Sequence, residues 1–256
     1  MEFLVFQLQA PLSSWGDTAV GEYRGSYEYP GESALIGLLG AALGLRRQHE
    51  AAHAALREGY GFAVGMQSGG RLLRDYHTAQ VATQMILQEQ PHFIRRDELN
   101  VPAHKRKDHL KTIPSTRDYR QDAASLIAVR QRANPPHTLH ALSDALRQPR
   151  FVLYLGRKAC PPAAPLHPLV IDAESALDAF QAYRVLLQGQ REAHKDKRGR
   201  LPLEPIGDVI RLMWSDGVDP GIAADLSTPR KDRLIRRLGW QFGDRTEHVA
   251  LLQRKD

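Results

Sequence analysis

GFAVGMQSGGRLLRDYHT, residues 61–78, is the stretch on which the fold turns. Gly61–Met66 and Leu72–Thr78 each read as a short strand. Gln67, Ser68, Gly69 and Gly70 between them read as a tight turn, so a β-hairpin is expected. Upstream, Phe3–Gln9 is apolar on both faces and reads as a buried strand that Pro11 should stop. Ser33 is the expected N-cap of a helix in which Leu35, Leu38, Leu39, Ala42 and Leu43 recur at helical spacing. A second, more polar helix is expected within Arg46–Arg57. Downstream, strand character returns around Leu126, Ile127 and Val129 within Arg117–Arg130. A short helix is expected over His137–Leu146, and Phe151–Leu155 reads as a compact strand. Apart from one extra strand and an insertion, this order is the β-α-β-β-α-β split unit of ferredoxin-like and RRM-like folds. That unit hosts many activities and names none of them.

The insertion is Ala79–Ser115, thirty-seven residues of weak periodicity, too long for a simple turn. Beyond Pro161 and Pro162 a helix is expected over Glu174–Leu187. A polar, basic run follows over Gln188–Arg200, and then short strand-like pieces. The chain of 256 residues allows one large or two small domains at about 150 residues each. Its single cysteine, Cys160, excludes an internal disulfide and a cysteine-cluster metal site. No stretch approaches the roughly 20 apolar residues of a membrane span. The N-terminus carries Glu2 and no basic run, so no export signal is expected and the protein should be cytoplasmic.

Thirty-five Lys and Arg against 29 Asp and Glu give a net charge of +6, and the cations cluster. Lys105, Arg106, Lys107 and Lys111 lie in the insertion. Arg147, Arg150, Arg157 and Lys158 fall in a stretch without carboxylates. Arg230, Lys231, Arg233, Arg236 and Arg237 form a third group. One such run is ordinarily a solvated face, whereas three favour a polyanionic partner. Tyr154-Leu155-Gly156-Arg157-Lys158 combines a stacking face, close backbone approach and phosphate-binding cations. Its bland alternative is a turn with solvated charges. The loop Leu12–Gly31 holds Trp15, Tyr23, Tyr27 and Tyr29, suited either to base stacking or to folding back on the core. Gly37, Gly40 and Gly44 share a side of the first helix and suggest that another backbone passes close by. His49-Glu50-Ala51-Ala52-His53 matches the zinc-peptidase pattern H-E-x-x-H but lacks a recognisable third ligand, and a polar surface helix explains it better.

Several segments in order carry a resemblance: LQAPLSSWG (8–16), ALIGLLGAALGL (34–45), LRDYHT (73–78), TRDYRQDA (116–123) and YLGRKACP (154–161). STPR (227–230), followed by Trp240–Arg245, is a weaker match. The chain resembles the CasD-type RAMP subunits of type I-E CRISPR Cascade, which hold the 5′ handle of the crRNA. The resemblance implies an α+β fold with an RRM-like, ferredoxin-like domain over 1–155. It also implies a thumb inserted at about 79–115 and a smaller β-rich part over 156–256. It further implies a non-catalytic RNA-binding and assembly subunit in antiviral defence, with no cofactor or metal. The expected partners are the crRNA 5′ handle, the Cascade backbone subunit and the large subunit, with target DNA met only through the complex. Arg117, Arg157 and Lys158 would then hold phosphates, with Arg24 as the one cation of an otherwise acidic loop. Trp15, Tyr76, His77 and Tyr154 would stack on or shape bases, and Gly156 would allow close approach. For Trp15 and Tyr76 core packing is the alternative. Lys105, Arg106, Lys107 and Lys111 would set the thumb against RNA. The related subtype I-C uses its equivalent subunit as an endoribonuclease. In that reading His104 would act as base and Lys105 would stabilise charge.

Overall fold

A computed structural model of the chain describes residues 1–16, 21–82, 110–193, 207–236, 239 and 241–252. In chain order the elements are β1 (Glu2–Ser13), β2 (Trp15–Gly16), β3 (Tyr23–Arg24), β4 (Ser26–Tyr27), α1 (Glu32–Leu43) and α2 (Glu50–Gly59). Next come β5 (Tyr60–Ser68), β6 (Arg71–Ala82), β7 (Leu110–Gln131), α3 (Leu139–Arg147), β8 (Leu169–Asp172) and α4 (Ala176–Ala193). The chain closes with β9 (Arg211–Ser215), β10 (Leu226–Arg236) and β11 (Gln241–Leu251). The architecture is α+β, as expected.

Among the described residues one nine-stranded sheet follows the path β10-β11-β9-β5-β7-β1-β8, with β3 and β6 also paired to β7. Its pairings are antiparallel except that of β3 with β7. Residues on both sides of position 155 therefore contribute to the same sheet. Side chains on a strand alternate between faces, and both faces are covered here. Leu4, Phe6 and Leu8 of β1 join Leu35, Leu39, Leu56 and Leu142 of the first three helices in one core. Phe3 and Val5 join Phe180 and Tyr183 of α4 in a second core. This two-sided burial explains why β1 reads as a continuous apolar run.

The expected hairpin at residues 61–78 is not what forms. Among the described residues β5 and β6 do not pair with each other. Both pair with β7, from Tyr60↔Gln131 through Met66↔Ser125 and on from Arg71↔Gln121 to Ala82↔Leu110. Ser68 to Gly70 is thus a bend within one long antiparallel ladder. Gly70 has φ +66°, and a Cβ there would lie 2.4 Å from the Gln121 carbonyl oxygen. Glycine in a strand interior marks such close approaches as readily as it marks turns. The bend is shared: Asp122 of β7 has φ +56°. Pro11 of β1 falls between the pairs Ala10↔Ala123 and Leu12↔Gln121. Pro11 therefore does not stop β1, because the ladder needs no N–H from it. The ends of the expected thumb, 79–82 and 110–115, are paired strand. Residues 83–109, including His104, Lys105, Arg106 and Lys107, lie outside the described residues.

Two further expectations are corrected. Phe151–Leu155 is not a strand; Leu153 and Leu155 are buried, but Phe151 and Val152 are 42% and 85% exposed. The strand beside β1 is β8 instead. The N-cap of α1 is Gly31, not Ser33, with no side-chain cap of its own. The Glu32 N–H donates to Asp232 Oδ2 at 3.0 Å, so a side chain from β10 replaces a local cap. None of the described helices is long and apolar enough to cross a membrane.

Candidate nucleic-acid interface

β1 leads directly into the site. Ser14 N–H donates to the Leu155 carbonyl at 3.1 Å, and Ser14 Oγ donates to the Asp118 carbonyl at 3.0 Å. This lays the Tyr154–Lys158 loop across the end of β1. Gly156 has φ +86°, and a Cβ there would lie 1.7 Å from the Ser14 carbonyl oxygen. Only glycine fits that crossing. Cys160 N–H returns to the Arg157 carbonyl at 2.9 Å and closes the loop.

The crossing aims Arg157 at β7. Its guanidinium lies 4.7 Å from the Tyr119 ring centre, and Nη2 donates to the Arg24 carbonyl at 3.3 Å. Its Nη1 is buried with no hydrogen-bond partner among the described residues. Arg24 pairs with Arg117 in the β3–β7 ladder. A cleft of about 390 Å³ opens here. Trp15, Gly16, Arg24, Tyr154, Gly156 and Arg157 line it, with Gly37 and Ala41 of α1 and Arg230 and Asp232 of β10. Five of the expected residues, Trp15, Arg24, Tyr154, Gly156 and Arg157, are thus brought together, with Arg117 beside them.

Others stand apart. Tyr76, His77 and Lys111 lie on the β6–β7 ribbon, opposite Thr116, Ser115 and Val81. Lys158 lines a neighbouring cleft. Trp15 and Tyr76 part company: Trp15 is 6% exposed within the first core, whereas Tyr76 is 70% exposed. Tyr27 and Tyr29 fold back, their ring centres 4.4 and 4.6 Å from the Arg230 guanidinium. Tyr23 donates to Asp118 Oδ2 at 2.5 Å.

Ion pairing sorts the cations. Arg74 pairs with Asp118, Arg147 with Asp144, and Arg233 with Glu58. Arg230 and Arg245 are buried with Asp232 and Glu247, the Arg245–Asp232 pair closing to 2.6 Å. Burial opposes the charge on Arg245, but Asp232 and Glu247 outweigh it and hold the guanidinium above its ordinary pKa. Burial raises the Glu32 carboxyl, against the pull of Arg245. Part of the third basic group is therefore internal scaffold. The acids of the 17–32 loop are also largely occupied. Glu28 meets Arg120 and Arg211, and Glu32 sits 3.9 Å from Arg245. Among the described residues Arg24, Arg117, Arg157 and Lys158 form no ion pair with a carboxylate, so their charge is left for an external anion.

Two features escaped the sequence reading. Tyr119 is apolar patterning in a strand until Arg157 is seen stacked on it. Arg46 and Arg47, in the α1–α2 turn, were hidden inside an expected helix. The two histidines of the H-E-x-x-H pattern are both engaged by the backbone of Arg46. His49 is the N-cap of α2, while His53 is buried with Nε2 3.1 Å from the Arg46 carbonyl. No group of three or more His, Cys, Asp or Glu among the described residues could hold a metal.

Comparison with known proteins supplies the family context. The family model Cas_Cas5d, described as CRISPR-associated protein (Cas_Cas5), matches residues 3–246. "CRISPR system Cascade subunit CasD" of Escherichia coli (strain K12) is 30% identical over 188 residues, covering 70% of this chain and 75% of that protein. A chain of a "CRISPR RNA-guided surveillance complex" superposes with a TM-score of 0.60 at 22% identity, covering 97% of this chain and 89% of that one. A second solved structure, "Crystal structure of Cas protein", gives 0.55 at 23% identity, covering 99% and 96%. At these identities the two superpositions speak to fold alone.

Proposed function

Because this chain belongs to the Cas5 family of CRISPR-associated proteins, we propose that it is a non-catalytic, cytoplasmic RNA-binding subunit of a type I-E Cascade complex, gripping the 5′ handle of the crRNA. The relative named as a Cascade subunit supports the assembly role, with the backbone and large subunits as neighbours. One observation carries the RNA reading. Arg24 and Arg157, neither ion-paired to a carboxylate among the described residues, line one cleft with the exposed ring of Tyr154, Arg117 pairs with Arg24 in the adjoining ladder, and the buried Tyr119 ring backs the Arg157 guanidinium. Cations beside aromatic rings suit single-stranded nucleotides, whose phosphates and base faces they engage together. Lys158 extends the cationic rim. Tyr76, His77 and Lys111 lie along the ribbon leading toward the thumb, where Lys105, Arg106 and Lys107 would continue it. In this reading Trp15 shapes the cleft wall from below.

The RRM-like description belongs to the same proposal. β5, β7, β1 and β8 lie side by side and antiparallel, with α1 after the first strand and α3 before the last. That is the neighbour order of a split βαβ unit. Residues 1–155 would carry this scaffold and the thumb, whose described ends, 79–82 and 110–115, are paired strand of the β6–β7 ladder. Residues 156–256 would add the last strand and the β-rich extension.

The test is salt-dependent binding of a repeat-derived RNA. About four phosphate contacts give a slope of log K against log salt near −3. Joint replacement of Arg157 and Lys158 by Ala is expected to flatten it. A flat response in the parent protein sinks the phosphate clamp. Incubation with unprocessed repeat RNA in chelator is expected to leave it intact, and site-specific cleavage there overturns the non-catalytic assignment.

A further inference from the structure

Tyr154 stands between two clefts. On its far side from Arg157 a second, larger cleft of about 760 Å³ is lined by Arg46, Arg47, Phe151, Val152, Tyr154 and Lys158. Gly37 and Ala41 of α1 border both clefts, so a small-residue floor runs from one into the other. In the Phe151–Tyr154 segment, which is not a strand, Leu153 packs into the core while Phe151, Val152 and Tyr154 stay open, 42%, 85% and 37% exposed.

The cationic wall of this cleft is a pinned turn. Arg46 N–H donates to His49 Nδ1 at 3.3 Å, and His53 Nε2 lies 3.1 Å from the Arg46 carbonyl. Leu45 N–H donates to the Gly40 carbonyl at 2.7 Å. Gly40 lets the two helices close on each other, since a Cβ there would meet His53 Cε1 at 3.0 Å. The two histidines of the H-E-x-x-H pattern thus fix the backbone that presents Arg46 and Arg47. Among the described residues Arg46 and Lys158 have no carboxylate partner.

We infer that this second cleft continues the single-stranded RNA path beyond Tyr154. Arg46, Arg47 and Lys158 take phosphates there, Phe151 and Tyr154 offer faces to bases, and His49 and His53 act as positioning residues. The inference rests on the RNA-binding reading of the first cleft. RNA is favoured over a protein segment because the lining combines three cations, Arg46, Arg47 and Lys158, with the exposed rings of Phe151 and Tyr154 over the small residues Gly37 and Ala41, which gives a flexible polyanion both contacts it needs.

The test uses the full chain with two labelled probes, a uridine tetramer and a uridine dodecamer, titrated at several salt concentrations. The joint variant Arg46→Ala, Arg47→Ala is expected to bind the dodecamer roughly tenfold more weakly. Its salt slope should be shallower by about 1.4, the share of two single-strand phosphates. Tetramer binding should be unchanged. Arg157→Ala is expected to weaken both probes, which reports on the first cleft separately. His53→Ala is expected to reduce dodecamer binding while leaving tetramer binding intact, and His53→Gln, whose amide can still meet the Arg46 carbonyl, should restore part of it. If Arg157→Ala weakens binding but the Arg46, Arg47 variant leaves dodecamer affinity and slope unchanged, the path ends at Tyr154 and the inference is overturned. If that variant keeps RNA binding but fails to join its complex, the cleft belongs to a protein partner and the inference is equally overturned. A parent chain that binds neither probe removes the first-cleft reading as well.

Discussion

Gly156 is the residue on which the first cleft depends. Its left-handed backbone carries the chain across Ser14 and turns Arg157 onto Tyr119. A side chain there meets strain from φ and a clash with backbone that cannot rotate away. Gly156→Ala is expected to cost about 2 kcal/mol or more in urea unfolding and to weaken RNA binding with it. Gly16→Ala lines the same cleft, but nothing lies within 4 Å of the added carbon, so its cost should stay within about 0.5 kcal/mol. Equal costs for the two would show that the crossing is not fixed by Gly156.

Among the elements, the ribbon of β6 and β7 is the one without a core of its own. Leu72, Leu73, Tyr76 and Ile113 are all exposed. What holds its base is a polar cluster: Arg74 donates to Asp118 at 2.9 and 3.1 Å, and Tyr23 from β3 donates to the same carboxylate. The Arg74 hydrogen bonds hold the Asp118 carboxyl below its ordinary value, against the effect of burial. A depressed carboxylate pKa adds stability that is complete above the unfolded value, about 3.9, and is lost as pH falls through the lower folded value. Asp118→Asn is therefore expected to lower stability at neutral pH and to remove part of the loss on acidification below about pH 4. Unfolding curves across that range check it. Parallel loss in parent and variant would mean that the ribbon does not depend on this ionised group.

Across the whole molecule, the buried cluster of Arg230, Arg245, Asp232, Glu247 and Glu32 joins the start of α1 to the last two strands. Removing Arg245 leaves three buried carboxylates, Glu32, Asp232 and Glu247, with Arg230 as the cation that remains among them, so Arg245→Met is expected to cost about 3–5 kcal/mol. Arg233→Ala, which removes a more exposed pair with Glu58, should cost no more than about 1 kcal/mol. Denaturant unfolding compares them. If the two costs match, the network contributes no more than a surface pair.

The sequence by itself determined the presence of most elements, because apolar periodicity and buried runs are local properties of the chain. It revealed α1, α2, α3, α4 and β1, and the segments around Trp15, Tyr154 and Arg157 that carry the family resemblance. It could not decide what Gln67 to Gly70 does, since glycine permits a turn and a bend alike. Contact with the Gln121 carbonyl settled that for the bend. Nor could it separate one arginine from another. Arg230 and Arg157 look equivalent in the chain, yet one is enclosed by Glu247, Asp232 and two tyrosines while the other has no carboxylate partner among the described residues. The α1 cap came from Asp232, two hundred residues away, and Tyr119 gained its meaning from a loop that crosses β1. Charge pairing, capping and stacking are distance-dependent interactions between groups remote in sequence, and only the folded chain brings those groups within reach.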